Sequence, residues 1–343
     1  MKVAEKQLVS IIIINHNRRE DLKACLNSVK RTGYRNFEVI VIDNASTDGS
    51  VDLVKEKFGW VKLVVNDENV GPIKARNFGV KISKGNLIAF LDSDIEVEPG
   101  WLSELVKAIN GKKVGACACK VKFFSGKSLI NSAGMGCDKY GFAFSRGLIC
   151  RGNFEKDEGQ YDKQEEVFSA YTAAMLSKKD VLEEINLFNP DLGMYYEDIE
   201  LSWKIRLAGY KIIYVPTSVV YHKMAPSKTP FTTKVKYLTE RNRLMTMIQN
   251  YSLVSLIKLM PFYFSLKFSE VLIYLAFKKP QEVNAMLSAF VYIFKNLPRI
   301  AYRRGQTQEM RKVSDLEIGK LMERGSREIS MYLKGYGKFV LGD

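Results

Sequence analysis

The 343-residue sequence predicts an α/β fold, a mostly parallel central sheet flanked by helices, with a C-terminal amphipathic helical region. Three observations predict it. Short apolar runs alternate with helix-patterned segments over the first hundred residues, as βα units with right-handed crossovers require. The loops that close those runs are polar and acidic, as at the ligand-binding edge of an open parallel sheet. Beyond residue 235 the composition changes to long apolar stretches rich in Lys and Arg.

The run VSIIII at 9–14 reads as a fully buried strand, and 19–31 as an amphipathic helix with Leu22, Leu26 and Val29 on one face. FEVIVI at 37–42 is the next strand, and the turn-rich segment from Asp43 to Ser50 leads into a helix over 51–58. A third strand spans 61–65, a helix 72–83, and a fourth strand 87–91, closed by Asp92-Ser93-Asp94. Residues 114–164 suggest short antiparallel strands and loops, 167–177 another buried strand and 179–185 a short helix. Tyr195-Tyr196-Glu197-Asp198-Ile199-Glu200 opens a helix that runs to Ala208 and stops at Gly209. A short strand over 212–215 is closed by Pro216 and followed by Val219-Val220-Tyr221-His222.

With 46% hydrophobic and 26% charged residues the composition is globular rather than disordered. The net charge of +14 is uneven: residues 1–223 carry 32 basic and 29 acidic side chains, residues 224–343 carry 20 and 9. The basic third asks for an anionic partner, nucleic acid or an anionic membrane face. Its charge tracks apolar helices and no nucleic-acid-binding motif accompanies it, so no nucleic acid is expected. The stretch 253–277 is long enough to span a bilayer but contains Lys258, Lys267 and Glu270, and 283–294 is too short. The expectation is amphipathic helices, divided by Pro261, Pro280 and Pro298, that touch the membrane face through residues 244–304. Lys278, Lys279, Arg299, Arg303 and Arg304 would then lie near anionic headgroups. The alternative is a helical lid or a homo-oligomer interface in a soluble protein. Cys25, Cys117, Cys119, Cys137 and Cys150 lack Cys-x-x-Cys spacing and read as reduced thiols, with neither zinc site nor disulfide framework. Residues 1–6 lead straight into a strand, so no signal peptide is expected, and the placement is cytoplasmic, peripheral on the cytoplasmic membrane face.

Four strand-end loops should open on one edge of the sheet: Asn15-His16-Asn17, Asp43-Asn44, residues 69–77, and Asp92-Ser93-Asp94. Asp92 and Asp94, one residue apart, can reach a single magnesium or manganese ion that keeps positions for phosphate oxygens. A carboxylate at Asp43 can accept from the imide N–H of uracil or thymine. His16 either stacks on that base or makes a local turn bond. Lys74 and Arg76 either bring positive charge to a diphosphate or serve, either of them, as a surface cation or as an internal partner of the acidic loops. Glu197 and Asp198 stand at a helix start, where a carboxylate favours the helix dipole. The functional reading makes Asp198 a general base, with Glu200 able to substitute. His222 can supply an imidazole to the same cation, manganese in particular.

The ordered set VSIIIINHNR, VIDNASTDGS, NVGPIKARNFG, LIAFLDSD and YYEDIELSWKIRLAGYKIIYVP resembles family 2 glycosyltransferases of the GT-A (Rossmann-like) fold, over roughly residues 8–225. The segment from Gly134-Met135-Gly136-Cys137-Asp138 to Arg146-Gly147 is similar to the rhamnosyltransferase-like branch. The resemblance implies a GT-A catalytic domain over 1–230; composition and charge add a basic, helical, membrane-associating region over 231–343. It implies inverting transfer from a nucleotide-diphosphate sugar (UDP- or dTDP-sugar) to a hydroxyl of a glycan or lipid-linked acceptor, with Asp198 as base and Glu197 or Glu200 near the acceptor. It also implies Mn2+ or Mg2+ held mainly by Asp94 with Asp92 and His222, and a nucleotide site of Ile14, His16, Asp43, Lys74, Arg76, Asp92 and Ser93. Ile14 replaces the proline usual after the first strand, where backbone serves. Processive members carry Gln-x-x-Arg-Trp after the acidic pair; here Arg241-Asn242-Arg243 is the nearest basic cluster, so addition of one sugar is expected. A nucleotidyltransferase or sugar pyrophosphorylase shares the α/β plan but would show a glycine-rich phosphate loop after the first strand, which Asn15-His16-Asn17-Arg18 is not.

Overall fold

A computed structural model describes residues 7–150, 153–224 and 232–331; residues 1–6, on which the signal-peptide expectation rests, lie outside them. The chain begins β1 (Val9–Asn15), α1 (Arg19–Lys30), β2 (Phe37–Asp43), α2 (Ser50–Lys57), β3 (Lys62–Val65), α3 (Pro72–Ile82) and β4 (Leu87–Asp92). β5 (Ile95–Val97), α4 (Trp101–Ile109) and β6 (Val114–Phe123) follow. Short strands come next: β7 (Ile130–Ser132), the hairpin of β8 (Met135–Cys137) and β9 (Ala143–Ser145), and the pair β10 (Leu148–Cys150) and β11 (Asn153–Phe154). Then come β12 (Glu165–Glu166), β13 (Ala174–Lys178), α5 (Lys179–Glu184), α6 (Glu197–Leu207) and β14 (Lys211–His222). The helical region contains α7 (Thr233–Asn250), α8 (Leu253–Ala276), α9 (Pro280–Lys295), α10 (Leu297–Glu309), α11 (Asp315–Gly319) and α12 (Arg327–Met331).

The main sheet runs β12-β14-β6-β13-β4-β1-β2-β3, with β5 on β14 and β7 on β6. β4, β1, β2 and β3 are parallel, and β13 enters antiparallel between β4 and β6. Alternation along β1 sends Ile11 and Ile13 to one face and Ile12 to the other. On the first face α1, α2 and α4 pack through Leu26, Leu53 and Trp101. On the second, α3, α5 and α6 join α7 to α10 in one core that runs from Phe90 through Trp203 to Leu244, Tyr263 and Ile293. That core crosses the boundary expected near residue 230, which itself falls in the undescribed residues 225–231. Gly79 lets α3 lie close on the sheet: a Cβ there would meet Ile12 Cγ2 at 2.6 Å.

Several elements differ from expectation. The strand expected over 167–177 is reduced to β13, because the N–H groups of Ala170 and Thr172 bond to Ser202 Oγ and Asp198 Oδ1 instead of to a strand. The strand expected to close at Pro216 continues as β14; the register shift between Val215 and Val219 absorbs the proline, which cannot donate to a ladder. Pro261 lies inside α8 and does not divide it, whereas Pro280 and Pro298 open helices, where a missing N–H costs nothing. The surface expected over 244–304 begins later: Leu244, Met245 and Met247 are core residues, and large exposed apolar side chains start at Leu253. Among the described residues no helix is long and apolar enough to cross a membrane. Cys25, Cys117, Cys119 and Cys137 are free and buried.

Candidate active site

The carboxyl ends of β1, β2 and β4 bring the first, second and fourth loops together. Ile14, half-buried, stands in register between Ile42 and Asp92. Asp43 is only 1% exposed; one carboxylate oxygen accepts from Asn15 Nδ2 at 2.8 Å and the other from the N–H of Ser46 at 2.7 Å. It therefore shapes the turn, and only its remaining lone pairs are left to accept from another group. His16 is exposed, its Nδ1 donating to the Asn44 carbonyl at 2.7 Å, which orients the ring at the rim. Lys74 is exposed on the first turn of α3.

The triplet splits in duty. Asp92 Oδ1 accepts from Arg76 Nη2 at 2.7 Å, and Arg76 Nη1 lies 3.5 Å from Glu197 Oε1. Arg76 is 4% exposed and pairs with both acidic loops, so it stands as their internal partner. Ser93 is buried. Asp94 Oδ1 faces His222 Nε2 at 3.4 Å, and its Oδ2 lies 3.6 Å from Arg18 Nη1. Burial acts to raise Asp94, but His222 and Arg18 outweigh it and hold the carboxyl below its ordinary range.

These residues suit a divalent cation. His222 Nδ1 contacts Asn131 Oδ1 at 3.0 Å; an amide oxygen only accepts, so Nδ1 carries a proton, and Nε2 is the ring nitrogen turned to Asp94. Metal-ligating histidines are oriented in this way by an outer acceptor. Two ligands at right angles on a magnesium ion stand ~3 Å apart, close to this separation.

The acidic pair stands at the head of α6. Asp198 Oδ1 accepts from Thr172 N at 2.9 Å and from Thr172 Oγ1. Burial, then the adjacent charge of Glu197, pushes its carboxyl up to about 7, against the pull of Thr172 and Arg76. Burial also raises Glu197. Tyr171 joins the two acidic groups: its ring lies 6.1 Å from that of His222, and burial with the charges of Asp198, Asp92 and Asp94 raises its phenol. Glu200 is not brought to this site. It lies two positions from Asp198, on another side of the helix, and bonds Lys204 at 3.1 Å beside a small cavity lined by Asn189, Gln249 and Arg303.

The backbone before the pair is strained. Tyr195 and Tyr196 both take left-handed φ, +67° and +66°. Asn242 Nδ2 holds this turn by donating to the carbonyls of Leu192, Met194 and Tyr195 at 2.8–3.0 Å, and Arg241 donates to that of Leu192. Arg243 takes a different course, to Tyr140 O and Glu328. Arg241 and Asn242 of the basic cluster thus brace the turn before the acidic pair. Thr172, Tyr171, Asn131 and Asn242 escape sequence reasoning because their types are ordinary and their partners lie 26 to 91 residues away or in a separate helix.

A mixed sheet with its acidic loops gathered at the strand ends, facing an acidic helix start across one buried arginine, defines a glycosyltransferase of the GT-A fold. The chain belongs to glycosyl transferase family 2, whose sequence profile matches residues 10–185. It is 26% identical over 223 residues to glycosyltransferase AglE of Haloferax volcanii, covering 64% of this chain and 67% of that one. It is 40% identical over 89 residues to the UDP-Glc:alpha-D-GlcNAc-diphosphoundecaprenol beta-1,3-glucosyltransferase WfaP of Escherichia coli, covering 26% and 36%. The fold is similar to that of GalNAc-T7 crystallised with UDP, GalNAc and Mn2+, with TM-score 0.57, 20% identity, and 71% and 48% of the two chains covered. The chain spans between 17% and 67% of the length of four curated relatives it matches.

Proposed function

We propose that the protein is an inverting, metal-dependent glycosyltransferase that adds one sugar from a nucleotide-diphosphate sugar, a UDP- or dTDP-sugar, to a hydroxyl of a glycan or lipid-linked acceptor. The observation that carries this reading is the environment of Asp198: a buried carboxyl, raised to about 7, held by Thr172 beside the acidic triplet. A group with that affinity accepts a proton from a hydroxyl at neutral pH with most effect. Asp198 takes the acceptor proton as the acceptor oxygen bonds the anomeric carbon and the bond to the leaving diphosphate breaks, with inversion. Asp94 and His222, with Asp92, would hold Mn2+ or Mg2+, which supplies positive charge to the leaving diphosphate. Arg76 fixes Asp92 and Glu197 in place, leaving exposed Lys74 and Arg18 as cations at the rim. His16 and Asp43 would contact the base.

The names of similar proteins support the donor and acceptor classes: WfaP takes UDP-Glc and a diphosphoundecaprenol-linked sugar, and GalNAc-T7 was crystallised with UDP and Mn2+. The test is nucleotide release across UDP-, GDP- and dTDP-sugars, with and without manganese, followed by the anomeric configuration of the product. Manganese-dependent release from a UDP- or dTDP-sugar with inversion is expected. Retention of configuration, or turnover unaffected by removing divalent ions, would overturn the mechanism.

A further inference from the structure

Helix α8 is built inside out. Its buried stripe is Leu256, Tyr263, Lys267, Glu270 and Tyr274, polar at four of five positions. Lys267 Nζ bonds Glu240 at 3.0 Å, Glu270 at 2.8 Å and Glu328 at 2.9 Å. Lys236 ties Glu240 and Glu270, and Arg243 pairs with Glu328 at 2.8 Å. Three cations therefore neutralise three carboxylates beneath the helix. Glu240, Glu270 and Glu328 stand close enough to hold a metal ion, but ammonium and guanidinium groups already occupy the space between and around them. The cluster is an internal structural one.

The solvent side of α8 is apolar. Ile257, Phe264, Phe268 and Leu272 recur at helical spacing along one flank, with Ile257 66% and Phe268 65% exposed. Phe264 meets Phe290 of α9 at 5.8 Å, and the surface continues there through Val291 and Phe294, the last 70% exposed. A water-facing patch of this kind marks a surface that something covers. Its charges say what. From 253 to 304 every exposed charged residue is basic: Lys258, Lys278 and Lys295, together with Arg299, which pairs with Asp191. Glu270 is buried and Glu282 half-buried. A second copy docked by two-fold symmetry would bring like charges together around the apolar centre, whereas anionic lipid headgroups neutralise them.

We propose that the exposed flank of α8 and α9 seats in the interface of an anionic lipid bilayer, with α8 lying in the membrane plane and its charged stripe turned toward the protein. This goes beyond the transfer reaction and does not depend on the role of Asp198. The test is flotation of the full chain with phosphatidylcholine vesicles, with and without phosphatidylglycerol. The protein should float with the anionic vesicles at low salt, and less so as salt rises. The double substitution Phe268→Glu, Leu272→Glu should lower the bound fraction at least roughly tenfold, since each carboxylate must enter the apolar layer. Phe294→Glu on α9 should act in the same direction, and Lys278→Glu with Lys279→Glu should remove the preference for anionic lipid. Circular dichroism and nucleotide binding at wild-type values identify the folded variants. Wild-type protein that stays at the bottom of the gradient with anionic vesicles at low salt overturns the proposal. A stable dimer that does not float, converted to monomer by the double substitution, overturns it in favour of a second copy.

Discussion

Asp94, in the loop after β4, and Asp198, at the head of α6, are the same residue type, yet their surroundings pull them in opposite directions. Asp94 sits against an imidazole and near a guanidinium, which hold it ionised. Asp198 is buried beside another carboxylate, and these raise its affinity for a proton to about 7 against the two bonds it receives from Thr172. The difference suits them to different work. A carboxylate that stays charged can serve as a standing ligand, whereas one that exchanges its proton near neutrality can accept one from substrate. Arg76 spans the two groups through Asp92 and Glu197, so neither carboxylate cluster is left without positive charge.

The largest expected effect separates the two roles. Asp198→Asn should lower transfer by about 10²–10⁴, the usual contribution of a general base, while calorimetry in manganese finds nucleotide affinity unchanged. Wild-type turnover in that variant would remove Asp198 from the chemistry and leave the two aspartates functionally alike. The reciprocal substitution, Asp94→Ala, should weaken manganese-dependent nucleotide binding by at least about tenfold; an affinity equal to wild type would show that the triplet is not a metal site. A third measurement follows the pH dependence of kcat/KM. The base works unprotonated, so the rate should fall roughly tenfold per pH unit below about 7 and level off above it. A profile flat down to pH 5 would mean that Asp198 ionises like an ordinary aspartate.

The contrast between the two groups was only half legible in the sequence. The strands β1, β2 and β4 are uninterrupted apolar runs with polar closures, so their ends and the loops they carry follow from local pattern alone. That is why Asp43, Asp92 and Asp94 could be placed on one edge. Which partner each carboxylate meets depends on chain crossings that no local pattern records. Arg76 reads equally as a diphosphate cation or a buried clamp until α3 is seated on the sheet through Gly79. Glu200 shares a helical turn with Asp198 in sequence but points to Lys204 in space. The hydrogen-bond partner of Asp198, Thr172, lies in a segment whose apolar composition suggests a strand and whose N–H groups are drawn off to α6 instead. α8 misleads for the opposite reason: its three charges look like barriers to a membrane, and two of them are the helix's buried contacts.

The last expected effect concerns stability, and its sign tests the same contrast without substrate. Asp198 binds its proton more tightly in the folded chain, about 7, than in the unfolded one, where the ordinary value is 3.8. The fold thus favours the neutral carboxyl. The stability it contributes is fully present below about 4, is lost as pH rises toward about 7, and stays lost above. Asp198→Asn keeps a neutral group of the same shape at every pH. The variant should therefore melt close to wild type at pH 4, and increasingly above it between pH 4 and 7, with the gap constant beyond. These melts are made with divalent ions chelated, so that ligand binding does not shift the curves. A variant that melts below wild type at pH 8 would show that ionised Asp198 stabilises the fold. Asp198 would then join Asp94 as a carboxylate held charged, and the assignment of the base would move elsewhere.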